Sequence, residues 1–161
     1  MEEKNFFDDV FNLLPLTNFM HSKNSWFYNL IEEKLKTVVI NSGLSLNGNG
    51  NIDFGPFNKL KFPFYKMGAI NSLHLFGLDE IILFCYYFSS RKKYKKVADI
   101  GANIGLHSII MSRFFNKVDC YEPDINHVKK IKENLKLNKV KNVKIIKKAV
   151  SNKNGKVEFL R

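Results

Sequence analysis

The chain has 161 residues, 45% of them hydrophobic and 25% charged, a composition that supports a folded core and argues against a disordered polar chain. Its longest apolar run, Ile81 to Phe88, is far short of the roughly 20 residues that span a bilayer. The acidic N-terminus lacks a basic-then-apolar signal pattern, so a cytoplasmic location is expected. The net charge of +11 resides in the second part of the chain: residues 1–90 hold 7 Lys and Arg against 9 Asp and Glu, and residues 91–161 hold 19 against 6.

In chain order, residues 1–40 read as helical, with Pro15 separating "FFDDVFNLLPL" from "SWFYNLIEEKLKTVVI". Trp26, Phe27 and Tyr28 are expected to pack. The Gly- and Asn-dense segment 41–58 reads as a loop or series of turns and marks the expected boundary between a helical extension, 1–58, and a domain over 59–161. Two short strands are expected around Gly68. "LDEIILFCYYFSS" reads as a helix whose first-turn acids, Asp79 and Glu80, favour the helix dipole. Cys85 and Cys120 are too few and too far apart for a disulfide framework or a metal site, and are expected as buried, reduced thiols; no metal is expected.

From Lys96 the pattern becomes regular. "KVADIG" reads as a strand, "GLHSIIMSRFF" as a helix, "KVDCYEP" as a strand, "DINHVKKIKENLKLN" as a helix and "NVKIIKKAV" as a strand ending at Lys148-Ala149-Val150. Strands alternating with helices of this length indicate right-handed βαβ units and a parallel sheet. Asp124 suits the N-cap of the second helix, and Asn138 a left-handed residue at its end. Lys129, Lys130, Lys132 and Lys136 interleave with Ile125, Val128, Ile131 and Leu135 at helical spacing, which makes them a solvent face and weakens the case for a nucleic-acid partner. Asn154-Gly155 signals a hairpin, so a last strand is expected to turn back antiparallel.

The stretch "VADIGANIGLHS", 97–108, carries the chemistry. In an α/β sheet, ligands bind outside the carboxyl ends of the strands, where a loop enters a helix. Gly101 permits the sharp turn there, and Gly105 a close backbone approach. Two glycines alone could equally make a plain βα turn. Glu122 ends the next strand 23 residues after Asp99, the offset at which an acid reaches ribose hydroxyls, and the small Ala149 leaves space for a flat base. A dinucleotide-binding G-x-G-x-x-G would require glycine where Asn103 stands, and a pyrophosphate would be repelled by Asp99. An acid at 99 instead suits a ligand with an amino group, whose carboxylate could take the loop amides.

"VADIGANIGLHS" followed by "CYEPD", "ENLKLN" and "NVKIIKKAVSNKNGKVEF" resembles the first part of an FkbM-type methyltransferase, a branch of the class I S-adenosylmethionine-dependent family, over about residues 96–161. The resemblance implies a Rossmann-like α/β fold, a parallel sheet with helices on both faces, with a helical N-terminal extension. It implies S-adenosylmethionine as cofactor, with Asp99, Gly101, Ala102, Asn103 and Gly105 around its methionyl part, Glu122 on the ribose and Ala149 beside the adenine. It further implies methyl transfer to a hydroxyl of a sugar, glycan or small natural product. No catalytic base is identified; His107, on the first turn after the loop, has no partner in the sequence and is expected to be a packing or surface residue. Only three of the family's strands are expected here, so the chain reads as a truncated domain whose first strand leaves an open edge. An NAD-binding protein and a non-catalytic basic module for RNA or anions are the alternatives.

Overall fold

The structure is a computed structural model and describes residues 5–45, 48–67 and 69–156. The chain forms two compact units, residues 1–90 and 91–161.

The first unit begins with α1 (Phe6–Leu13), capped by the Asn5 side chain, which accepts the Phe7 N–H at 2.9 Å. Pro15 lies in a 3-10 turn, Leu14–Leu16, where its missing N–H costs nothing. α2 (Trp26–Asn41) starts at Ser25, whose hydroxyl accepts the Tyr28 N–H. The segment expected to be a loop contains a strand, β1 (Asn49–Asp53), paired antiparallel with β2 (Lys59–Pro63) in the register Gly50 to Phe62 and Ile52 to Leu60. The boundary expected at 58/59 therefore falls inside a hairpin, and the division between units comes later, at 90/91. β3 (Lys66–Met67) and β4 (Ile70–Asn71) form the short pair expected around Gly68, which itself lies outside the described residues. α3 (Leu78–Ser90) closes the unit.

Its core is aromatic. Phe7 and Phe11 of α1 meet Phe54 and Phe57 after β1, and Phe76 and Phe84 join through Phe54, with ring centroids 4.4 to 6.3 Å apart at mostly tilted or edge-on angles. All six rings are buried, and such pairs contribute about 0.5–1.5 kcal/mol each beyond area burial. Phe27 and Tyr28 pack as expected, whereas Trp26 is 68% exposed.

The second unit is the expected βαβαβ: β5 (Lys96–Ile100), α4 (Leu106–Ser112), β6 (Lys117–Tyr121), α5 (Ile125–Leu137) and β7 (Val143–Ile146). The strands are parallel in the order β5-β6-β7. Among the described residues both helices lie on one face of this sheet, where helices on both faces are expected, and α4 contacts all three strands and α5. Val97, Val118 and Val143 share one row on that face, and Asp99, Cys120 and Ile145 the next. Val128, Ile131 and Leu135 of α5 are buried, and Lys129, Lys132 and Lys136 are exposed, as the periodicity predicts, whereas Ile125 is 44% exposed and Lys130 only partly so. Asp124 caps α5 by accepting the Asn126 N–H at 2.7 Å.

Three expectations shift. β7 ends at Ile146, four residues before Val150. The left-handed residue after α5 is Lys139 (φ 56°), since Asn138 keeps φ at −94° and donates its side-chain amide to the Asn134 carbonyl. Residues 151–156, with Asn154-Gly155, are irregular, and the strand expected to turn back falls on 157–161, outside the described residues. Both cysteines are free, Cys120 buried and Cys85 only partly so.

Candidate functional site

The site forms where β5 and β6 end. Strand alternation turns Asp99 toward the helices and Ile100 to the other face, so Asp99 is 9% exposed and Ile100 63%. From α4, Ser108 reaches back and donates its hydroxyl to Asp99 Oδ2 at 2.6 Å, with Ser108 fully buried. The neighbouring Cys120 thiol is pushed up to about 11, chiefly by burial and further by the charges of Asp99 and Glu122, against a lowering hydrogen bond from Ser108. It is an inert thiol between two carboxylates.

The loop between β5 and α4 is built from left-handed residues: Gly101 at φ 77°, Asn103 at 51° and Gly105 at 86°. Gly101 faces open space, since a Cβ there would have no heavy atom within 4 Å. Gly105 is closed in, since a Cβ there would meet the Ile131 side chain at 3.2 Å. One glycine therefore leaves room for a ligand and the other lets the loop press on α5. Asn134, buried in α5, fastens the same loop by donating to the Ile104 carbonyl at 2.8 Å.

Glu122, 5% exposed, ties this loop to the next strand. Its Oε2 accepts the Asn103 N–H at 2.8 Å, its Oε1 accepts the Asp124 N–H at 2.9 Å, and His127 Nδ1 lies 3.6 Å from Oε1. The Gly101 and Ala102 N–H groups both donate to the Tyr121 carbonyl, and that of Gly105 to the Ala102 carbonyl. The amides of 101, 102, 103 and 105 are thus engaged within the protein, contrary to the expectation that they await a carboxylate. The loop instead offers the open side of Gly101 and the side chain of Asn103, whose Oδ1 is buried with no hydrogen-bond partner among the described residues.

Six of the seven predicted cofactor residues, Asp99, Gly101, Ala102, Asn103, Gly105 and Glu122, gather here. Ala149 is exposed, three residues beyond the end of β7. His107 is partly buried on the first turn of α4. Sequence reasoning missed Ser108, Asn134 and His127. The signal for Asn134 was available, a polar residue at i+3 from Ile131 on the apolar stripe of α5. No group of three metal-ligating side chains, and no helix long and apolar enough to cross a membrane, occurs among the described residues.

No known family profile and no curated protein matches the chain significantly. Among solved structures it is similar to wild-type Trm5b from Pyrococcus abyssi, at 25% identity and a TM-score of 0.36 over 54% of this chain and 24% of that one. It is also similar to coclaurine N-methyltransferase bound to N-methylheliamine and SAH, at 14% identity and a TM-score of 0.38 over 90% of this chain and 44% of that one. The chain spans about a quarter of the first protein and less than half of the second.

Proposed function

We propose that residues 91–161 are the S-adenosylmethionine-binding part of a methyltransferase that modifies a hydroxyl of a sugar, glycan or small natural product, as the FkbM-type resemblance implies. One arrangement carries this reading: the buried Glu122 carboxylate holds the Asn103 amide of a loop that is open at Gly101 and has Asp99 at its base. The residues present fit the cofactor. Asp99, oriented by Ser108, and the unpartnered Asn103 Oδ1 are acceptors for a ligand ammonium. Gly101 leaves the space that any side chain would fill. Glu122 accepts one backbone N–H on each oxygen, with His127 beside Oε1, which leaves Oε2 a lone pair for a ribose hydroxyl. Ala149 borders the adenine by resemblance alone.

When bound, S-adenosylmethionine supplies a methyl group already activated by its sulfonium. The work of these residues is to fix the cofactor and keep the acceptor's approach dry and aligned. No residue is assigned as the base. A dinucleotide fits less well, because Asn103 stands at the second glycine position and Asp99 opposes a pyrophosphate.

Calorimetric titration with S-adenosylhomocysteine tests the reading. Binding that is lost in Gly101→Val and Glu122→Ala supports it; binding of NAD in its place overturns it.

A further inference from the structure

The N-terminal unit holds a cavity of about 420 Å³ between α2, the turn Ser72–Phe76 and the start of α3. This volume lies in the range, roughly 300–1,000 Å³, in which proteins take small organic ligands. Its wall is mostly apolar, with Ile40 and Leu73 open to it and Val39 and Phe76 buried behind. Three carboxylates, Glu32, Asp79 and Glu80, also line it, against the ammonium groups of Lys23 and Lys36.

Among the paired groups, Glu32 is held most firmly. Glu32 is fixed from within, its side chain 21% exposed and its Oε2 accepting the Leu78 N–H at 2.6 Å. Asp79 is more open, its side chain 55% exposed, and its Oδ1 accepts the Tyr28 hydroxyl at 2.9 Å. The lysines instead reach these acids from solvent: Lys23 meets Asp79 at 2.8 Å and Lys36 meets Glu32 at 3.5 Å, with their side chains 71% and 62% exposed. Exposed pairs of this kind are weak, so a ligand can displace the lysines at small cost. His74 Nδ1 accepts the Asn71 N–H at 3.1 Å.

We propose that this cavity binds a small organic amine in its ammonium form, with the apolar body on Ile40 and Leu73 and the charged nitrogen between Glu32 and Asp79. The Asp79 carboxyl is held below the ordinary carboxylate range, first by its hydrogen bond to Lys23, so it is ionised at neutral pH. An anion would face three carboxylates, and a neutral molecule would gain only the apolar wall. The site is independent of the cofactor reading.

The test is an NMR titration of the ¹⁵N-labelled full chain at neutral pH with phenethylamine, using 2-phenylethanol and 3-phenylpropionate as probes of similar shape. The amine is expected to shift the amides of Glu32, Gly77 and Asp79 saturably, and to bind at least about tenfold more tightly than either control. Asp79→Asn and Glu32→Gln, each checked by thermal melting, should each weaken it about tenfold. Lys23→Ala should tighten it roughly two- to five-fold by removing a competing ammonium. Equal or better binding of 3-phenylpropionate, absence of saturable shifts with the amine, or weaker amine binding in Lys23→Ala would overturn the proposal.

Discussion

Ser108 and Asp99, nine residues apart in sequence, are joined by a buried hydrogen bond of 2.6 Å from α4 to the end of β5. A hydrogen bond to an ionised partner contributes about 1.5–3 kcal/mol. Ser108→Ala is therefore expected to lower the stability of the second unit by about that amount in urea denaturation. It should also weaken S-adenosylhomocysteine more than methylthioadenosine, which lacks the ammonium that Asp99 would meet.

The two loop glycines are expected to fail in different ways. Gly105→Ala meets Ile131 at 3.2 Å from a left-handed backbone, and should destabilise the unit by at least roughly 1–2 kcal/mol. Gly101→Ala bears the backbone cost but no clash, so it should fold and yet bind S-adenosylhomocysteine at least about tenfold more weakly. Paired denaturation and calorimetric titration of the two variants separate fold from site.

Asn134→Ala removes a buried side-chain donor to the Ile104 carbonyl, and an unsatisfied buried acceptor costs about 1–3 kcal/mol. The loss should appear in the urea midpoint. It should also appear as faster amide hydrogen exchange in the 101–105 loop.

Burial raises both thiols, Cys120 to about 11 and Cys85 to about 12. The thiolate is the nucleophile, so at pH 8 less than about one molecule in a thousand carries it at either position. Iodoacetamide is expected to leave the native chain unmodified and to alkylate both residues in urea. Rapid native alkylation at Cys120 would contradict its burial between Asp99 and Glu122.

The Asp79 carboxyl is held low, first by Lys23, then by the Tyr28 hydroxyl and the Lys23 charge, against opposing burial. A depressed acid stabilises the fold fully above its unfolded value, near pH 3.9, and that contribution is lost as pH falls through the lower folded value. Urea midpoints followed from pH 6 downward should therefore decline less steeply in Asp79→Asn than in the parent chain.

The second unit was legible in the sequence because its signals are local and repeated. A period of 2 in "KVDCY", a period of 3.6 in α5 and a cap at Asp124 each specify their own element. β1 was hidden because "NGNID" has one large apolar residue in five and the composition of a turn; it is a strand because Ile52 and Gly50 face Leu60 and Phe62 across the hairpin. The end of β7 was overextended because "KKAV" continues the apolar-polar texture beyond the last paired residue, Ile146. Within the site, the residue types were readable and their hydrogen bonds were not. That the loop amides turn inward to Tyr121 and Glu122 depends on the three-dimensional approach of β5 and β6.

The position of Trp26 bears on how these measurements must be made. The chain's single indole sits on the first turn of α2, 68% exposed, beside the Phe27 ring at 6.0 Å and apart from the six-phenylalanine core. Its fluorescence in the native state will already resemble that of a water-bathed indole and will change little as either core melts. Circular dichroism or NMR will follow unfolding faithfully; emission at the red edge will not.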